Sequence, residues 1–235
     1  TEGWINGTVD EARIYDTALA AADIAALYAE GPNPVPDLSG AQLLHRWSFD
    51  GTATDSVGVA NGTLYGTAVI TNGVMRLSGS DGANRMETAA FGNTLSNKTL
   101  VAWCTLDDPS VQYKGAVLSV KDGAKFDGIV YAERTARQWM NGSENYYRSL
   151  PGNNGGASET AADPAAIMMA VTYDTDPVNP VKIYRNGVLY AQGKPSLYAA
   201  TNYPTTATAV IGPRKATFEG WINGTVDEAR IYDTA

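Results

Sequence analysis

An all-β fold is what this sequence predicts, and three observations carry it. Asn-Gly and Asp-Gly pairs recur along the chain, among them 6–7, 61–62, 72–73, 81–82, 122–123, 127–128, 141–142, 186–187 and 223–224. Such pairs accept positive φ at both central positions of a type I′ turn, the commonest tight hairpin connection. The composition, with 24 Gly, 11 Pro and 13 Tyr in 235 residues, is that of a turn-rich sheet protein. Only one stretch reads as a helix. Many short strands joined by tight turns make a sandwich or a barrel.

In chain order, Trp4-Ile5-Asn6 and Thr8 to Tyr15 read as a hairpin. Residues 18–30, ALAAADIAALYAE, read as the helix. Ala and Leu favour it, Ile24, Leu27 and Tyr28 share one face, and Asp16 or Thr17 can cap its start. Gly31 and Pro32 end it. Residues 31–41, GPNPVPDLSGA, form a Pro-rich linker. Strands follow near 43–50, 67–71, 74–79, 84–89, 98–106, 115–121, 126–133, 137–141, 167–174, 181–186, 188–192, 208–212 and 221–232. Long connections run over 150–165 and 193–207.

The chain also repeats itself. Residues 2–18 and 219–235 both read EGWINGTVDEARIYDTA, identical at 17 positions with an offset of 217. That offset is one large domain plus a linker. Residues 1–30 therefore read as the last strands and helix of a preceding repeat. Residues 31–41 are its linker, and 42–235 are a full sandwich.

With 44% apolar residues the chain can bury a complete core. Its formal net charge of −8 repels phosphate backbones and anionic membrane faces, which argues against nucleic-acid binding. No run approaches the ~18 apolar residues of a membrane span. Cys104 is the single cysteine, so an internal disulfide is excluded and a small buried strand residue is expected.

Four segments carry a family resemblance. Residues 43–63, LLHRWSFDGTATDSVGVANGT, resemble the opening of bacterial laminin-G-like (concanavalin-A-like) jelly-roll domains. Lys98 to Trp103 is similar to their central strand, and 169–190, MAVTYDTDPVNPVKIYRNGVLY, to their Asn-Gly hairpin. The ending 220–232, GWINGTVDEARIY, is the most specific match. Two departures are Ala166-Ile167-Met168, where the family often carries a His, and Ala20, where its helix usually opens with Ser. The resemblance implies a two-sheet antiparallel jelly-roll sandwich in which the last strand lies beside the first. Residues 2–15 and 219–232 then compete for one slot beside 43–50. Strand exchange between chains is one consequence, a covalent array the other.

Some relatives of this fold cleave β-glucans with two carboxyls roughly 5–5.5 Å apart, at alternate positions of one strand. No such pattern is present. Asp127 and Glu133 share a strand face but lie about 20 Å apart, and Asp227 and Glu228 should face opposite ways. His45, the one histidine, shares a strand face with Trp47 and Phe49 and reads as a core or interface residue rather than a catalyst. No zinc cluster or phosphate loop occurs. The resemblance makes structural calcium worth testing, with Asp50, Asp55 and Asp227 as candidate ligands beside carbonyls of the 51–62 loop. Turn capping and edge salt bridges are the plainer account of those acids.

Aromatic platforms for sugar are sought between 113 and 147: Tyr113, Tyr131, Trp139, Tyr146 and Tyr147. Core packing explains such residues as well. The segment 137–148, RQWMNGSENYYR, is the first place to look. The sequence by itself favours a non-enzymatic repeat unit of an extracellular or cell-surface structural or adhesive protein. Its partners would be neighbouring identical repeats. The alternative is a carbohydrate-binding module that recognises glycans.

Overall fold

The computed structural model describes residues 21, 41–151, 156–160, 166–199, 201–215 and 219–235. The chain divides into two units, Thr1–Ser39 and Gly40–Ala235. The hairpin, helix and linker expected over 1–40 lie outside the described residues, apart from Ala21, which is helical.

The second unit consists of two antiparallel sheets. The larger has the order β12 (Val188–Gly193), β11 (Val181–Arg185), β10 (Ile167–Tyr173), β6 (Lys98–Leu106), β14 (Gly224–Tyr232), β4 (Val74–Leu77) and β3 (Val69–Thr71). An eighth strand, β1 (Leu43–Trp47), pairs with β14 off that path. The smaller has the order β2 (Gly62–Tyr65), β5 (Arg85–Thr88), β13 (Thr208–Gly212), β7 (Ala116–Asp122), β8 (Lys125–Tyr131) and β9 (Trp139–Ser143). The two-sheet antiparallel sandwich is therefore the fold. Thirteen of its strands fall where turn signals and apolar runs place them. β2 is the strand the sequence hides. It is four residues long and half-exposed, and it starts on the Asn61-Gly62 pair that otherwise reads as a turn.

The core lies between the sheets. Trp47, Met75, Leu100 and Cys104 meet Leu118, Ile129, Tyr131 and Ile211, all buried. Cys104 takes the buried strand position expected of it, and burial pushes its thiol far above the ordinary range. Among the described residues no helix is long and apolar enough to cross a membrane.

β14 organises the larger sheet. One edge pairs with β6 along its whole length, from Gly224 opposite Leu106 to Tyr232 opposite Thr99. The other edge changes partner: Val226 lies opposite Met75 of β4, and Ala229 to Tyr232 lie opposite β1. The last strand thus lies beside the first. A bulge between Val226 and Glu228 marks the change. Strict alternation after Val226 would turn Glu228 and Arg230 into the core. The extra residue resets the phase, so Val226, Ala229 and Ile231 are all buried in the core. Asp227 and Glu228 therefore do not alternate as a regular strand would make them. The two acids are close enough that Glu228, after burial, is the next cause raising the Asp227 carboxyl. Glu228 in turn accepts from Arg46 at 3.1 and 3.0 Å and from Arg230.

Candidate functional site

Two irregular segments carry the predicted site residues. The first follows β1. Asp55 is buried, and its two oxygens accept from five groups: Arg46 N at 3.1 Å, Val57 N at 3.2 Å, Gly58 N at 2.9 Å, Ala60 N at 3.0 Å and His45 Nδ1 at 2.6 Å. Burial alone would raise its carboxyl. The His45 bond and the Gly58, Arg46 and Ala60 amides outweigh that and hold it down at about 2. Gly58 is required here, because a Cβ would sit 2.5 Å from His45 Nδ1 and 2.7 Å from Asp55 Oδ2. His45 takes the core position its strand face predicts, with its ring stacked 4.5 Å from Phe91.

A carboxylate offers about four lone pairs. Those of Asp55 are committed to the loop, which leaves it poorly suited to ligate a cation. Asp50 and Asp227 are exposed and near each other: after burial and Glu228, the Asp50 charge is a further cause raising the Asp227 carboxyl. Among the described residues no group of three or more His, Cys, Asp or Glu side chains is arranged as a metal site.

The second segment is 137–151, with the strands it touches. Tyr131 is sealed in the core, its hydroxyl donating to Pro109 O at 2.6 Å and its ring 4.8 Å from Trp139. Tyr113 is also buried, 6.2 Å from Tyr131. Trp139 is 3% exposed, and its indole N–H donates to Glu159 Oε1 at 2.9 Å. It lies at the inner wall of a small cleft where the edge strand β9 meets the edge strand β12. Gln138, Leu150, Ile183 and Tyr190 line the same cleft, with Arg134 among its polar groups. Residues 156–160 are strapped to it: Gln138 donates to Gly156 O, Tyr190 to Ala157 O, and Arg185 grips Glu159 at 2.8 and 3.0 Å. Sequence reasoning misses Tyr190 and Arg134. Nothing local says that the strand at 188–193 will meet the strand at 139–143.

After β9 comes a 3₁₀ turn, Glu144–Tyr146, and here the aromatics turn outward. Tyr146 is 39% exposed and Tyr147 44%. Asn145 and Tyr146 both sit in the left-handed region, at φ 49° and 58°. Each such residue costs of order 1 kcal/mol and persists only where its surroundings over-determine it. The surroundings are Arg148. Its guanidinium donates to Asp127 Oδ1 at 2.7 Å, to both oxygens of Glu144 at 2.8 and 2.6 Å, and to Phe126 O at 2.9 Å. Its backbone is held by Ser143 Oγ and Asn141 Nδ2. Asp127 is completely buried and also meets Lys98 at 2.8 Å. Burial opposes its charge, but the two cations hold its carboxyl below the usual range. Lys98 has one anion against the same burial, so its ammonium is drawn down.

Tyr146 is flanked by Arg134, whose guanidinium lies 4.7 Å over its ring, and its hydroxyl is raised first by burial and next by the charge of Glu133. Tyr147 borders a shallow open recess with Arg148, Leu197, Ala199 and Thr201. Of the aromatics Tyr131, Trp139, Tyr146 and Tyr147, the first two are packed inside and the other two stand in solvent on one turn.

A laminin G model of the concanavalin A-like lectin/glucanases superfamily matches residues 78–235. The chain belongs to that superfamily. Solved structures overlay on it at low identity. Domain 4 of AbnA, a GH43 extracellular arabinanase from Geobacillus stearothermophilus solved in complex with arabinotriose, aligns with a TM-score of 0.58 and 19% identity, covering 83% of this chain and 94% of that one. The carbohydrate recognition domain of Emp47p aligns at 0.50 and 11%, covering 86% and 100%. Trypanosoma rangeli sialidase aligns at 0.55 and 18%, covering 88% of this chain and 32% of the sialidase. At these identities the likeness is one of fold. No curated protein sequence matches the chain.

Proposed function

We propose that residues 42–235 are a carbohydrate-binding module, and that it binds without cleaving. The observation that carries this is the 144–147 turn: a buried arginine network holds two consecutive left-handed residues and keeps Tyr146 and Tyr147 in solvent. Strain of this kind gathers at binding sites, where a fixed geometry lowers the entropy lost on association. Exposed tyrosine faces suit the C–H faces of sugar rings, and the guanidinium of Arg134 beside Tyr146 suits hydroxyls. With a net charge of −8, neutral oligosaccharides fit better than acidic ones.

Several things support the absence of catalysis. Glycosidases place two carboxyls on either side of one bond. Asp127 is instead locked between Lys98 and Arg148, and Glu133 pairs with Arg214 at 2.9 Å. An extracellular setting follows from the proposed ligand. The structural-array reading, which the sequence by itself favours, keeps one observation of its own, the 17-residue repeat.

Glycan-array binding followed by titration of the best neutral oligosaccharide tests the proposal. Tyr147→Ala should cost about 2 kcal/mol, roughly thirtyfold in Kd, as loss of an aromatic anchor does. Binding to no glycan, or unchanged binding by both Tyr146→Ala and Tyr147→Ala, would reject this site.

A further inference from the structure

The groove that β14 fills is specified by the residues of β14 and its flanks, and every one of those residues occurs twice in the chain. Val226, Ala229 and Ile231 supply the core face. Glu228 takes Arg46, and the Arg230 guanidinium lies 4.9 Å over Trp103. Gly224 is needed where β14 starts, since a Cβ there would clash with Thr105 O. Asp233 closes the far end, its N donating to Gln42 O and its Oδ1 accepting from Gln42 N. The corresponding residues at the other end of the sequence are Val9, Ala12, Ile14, Glu11, Arg13, Gly7 and Asp16. Residues 3–16 repeat 220–233 letter for letter.

From this we propose that the β14 groove of one copy accepts residues 3–16 of a second copy, so that copies exchange strands head to tail. An incoming strand of identical sequence satisfies the groove as fully as the resident one, which leaves the outcome to connectivity. A copy's own strand is tethered and acts at an effective concentration on the order of millimolar, so it prevails in dilute solution. Exchange appears when chains refold together at high concentration, or when the local strand is impaired. A second copy is the fitting donor, because every copy carries both the groove and the repeated strand sequence. Donor and acceptor are different surfaces, so the association runs head to tail, into rings where the rotation between copies closes and into open chains where it does not. The inference is independent of sugar binding.

Two measurements on the full chain test it. The 235-residue chain is unfolded, refolded at rising concentration, and its mass read by light scattering. A ladder of multiples of 24.9 kDa is expected from it, and monomer alone from Ile14→Asp. In the second, Ile231→Asp should melt cooperatively and gain mass with concentration, whereas Ile14→Asp/Ile231→Asp should show no cooperative melting. The proposal is overturned by monomer at every refolding concentration. It is equally overturned if Ile231→Asp is as unfolded as the double variant, or is folded but monomeric throughout.

Discussion

The loop after β1 and the turn after β9 solve one problem in opposite ways. Each must hold irregular backbone against a sheet edge, and each does so with a buried charged side chain. In the first, Asp55 receives four backbone amides and His45, and the loop closes on itself. What it leaves in solvent are small side chains, Thr52, Thr54, Ser56, Val57, Val59 and Asn61, and no aromatic ring. In the second, Arg148 points inward to Asp127 and forces the residues before it outward, so two tyrosines face water. A buried anion collects N–H groups and seals a loop. A buried arginine, with five donors and no acceptor, reaches carboxylates and a carbonyl and can brace a protruding turn. The contrast separates a structural loop from a presenting one.

The largest way to break that contrast is Asp127→Ala. It leaves Lys98 and Arg148 buried without their shared anion, and should cost about 4 kcal/mol in chemical denaturation. A loss under about 1 kcal/mol would mean that the turn is not braced from below. Asp55→Asn is next. It keeps one acceptor oxygen but sets an NH₂ against amide donors, for an expected loss of about 3 kcal/mol. Glycan binding at Tyr147 should survive this change, because the two loops are separately anchored.

A pH series sharpens the same comparison. The Asp55 carboxyl falls from 3.8 to about 2 on folding. A depressed carboxyl contributes stability that is fully present above 3.8 and lost as pH falls towards 2. The expected contribution is about 2 kcal/mol, and this part of the acid slope should be missing in Asp55→Asn. Equal acid slopes in the two proteins would refute the assignment. The smallest effect on stability is Tyr147→Ala, within about 0.5 kcal/mol, since its ring stands in solvent. A larger loss would make Tyr147 a structural residue and weaken the sugar-binding proposal.

Much of the fold is legible because strand and turn chemistry are local. The Asn-Gly pairs, the runs at 98–106 and 167–174, and the central position of Cys104 follow from residue type and spacing alone. The site is less legible. The segment 137–148 stands out by composition, yet within it Trp139 and Tyr147 look alike, and one is 3% exposed and the other 44%. No periodicity separates them, because the turn after β9 abandons the strand period. The Asp50, Asp55 and Asp227 set reads as three similar acids, while the structure gives Asp55 a full complement of donors and leaves the other two exposed.

By itself, then, the sequence determined the strands, the turns between them, the two-sheet class through its family likeness, and the doubling of one strand. These depend on neighbours within a few positions, or on identity along the chain. Tertiary structure decided three other things: which sheet edges meet to make the cleft, where the bulge in β14 resets its alternation, and which charges are buried. Each depends on groups far apart in the chain. Trp139 and Tyr190, or Asp127 and Arg148, acquire their roles only when packing removes water and sets the distance between them.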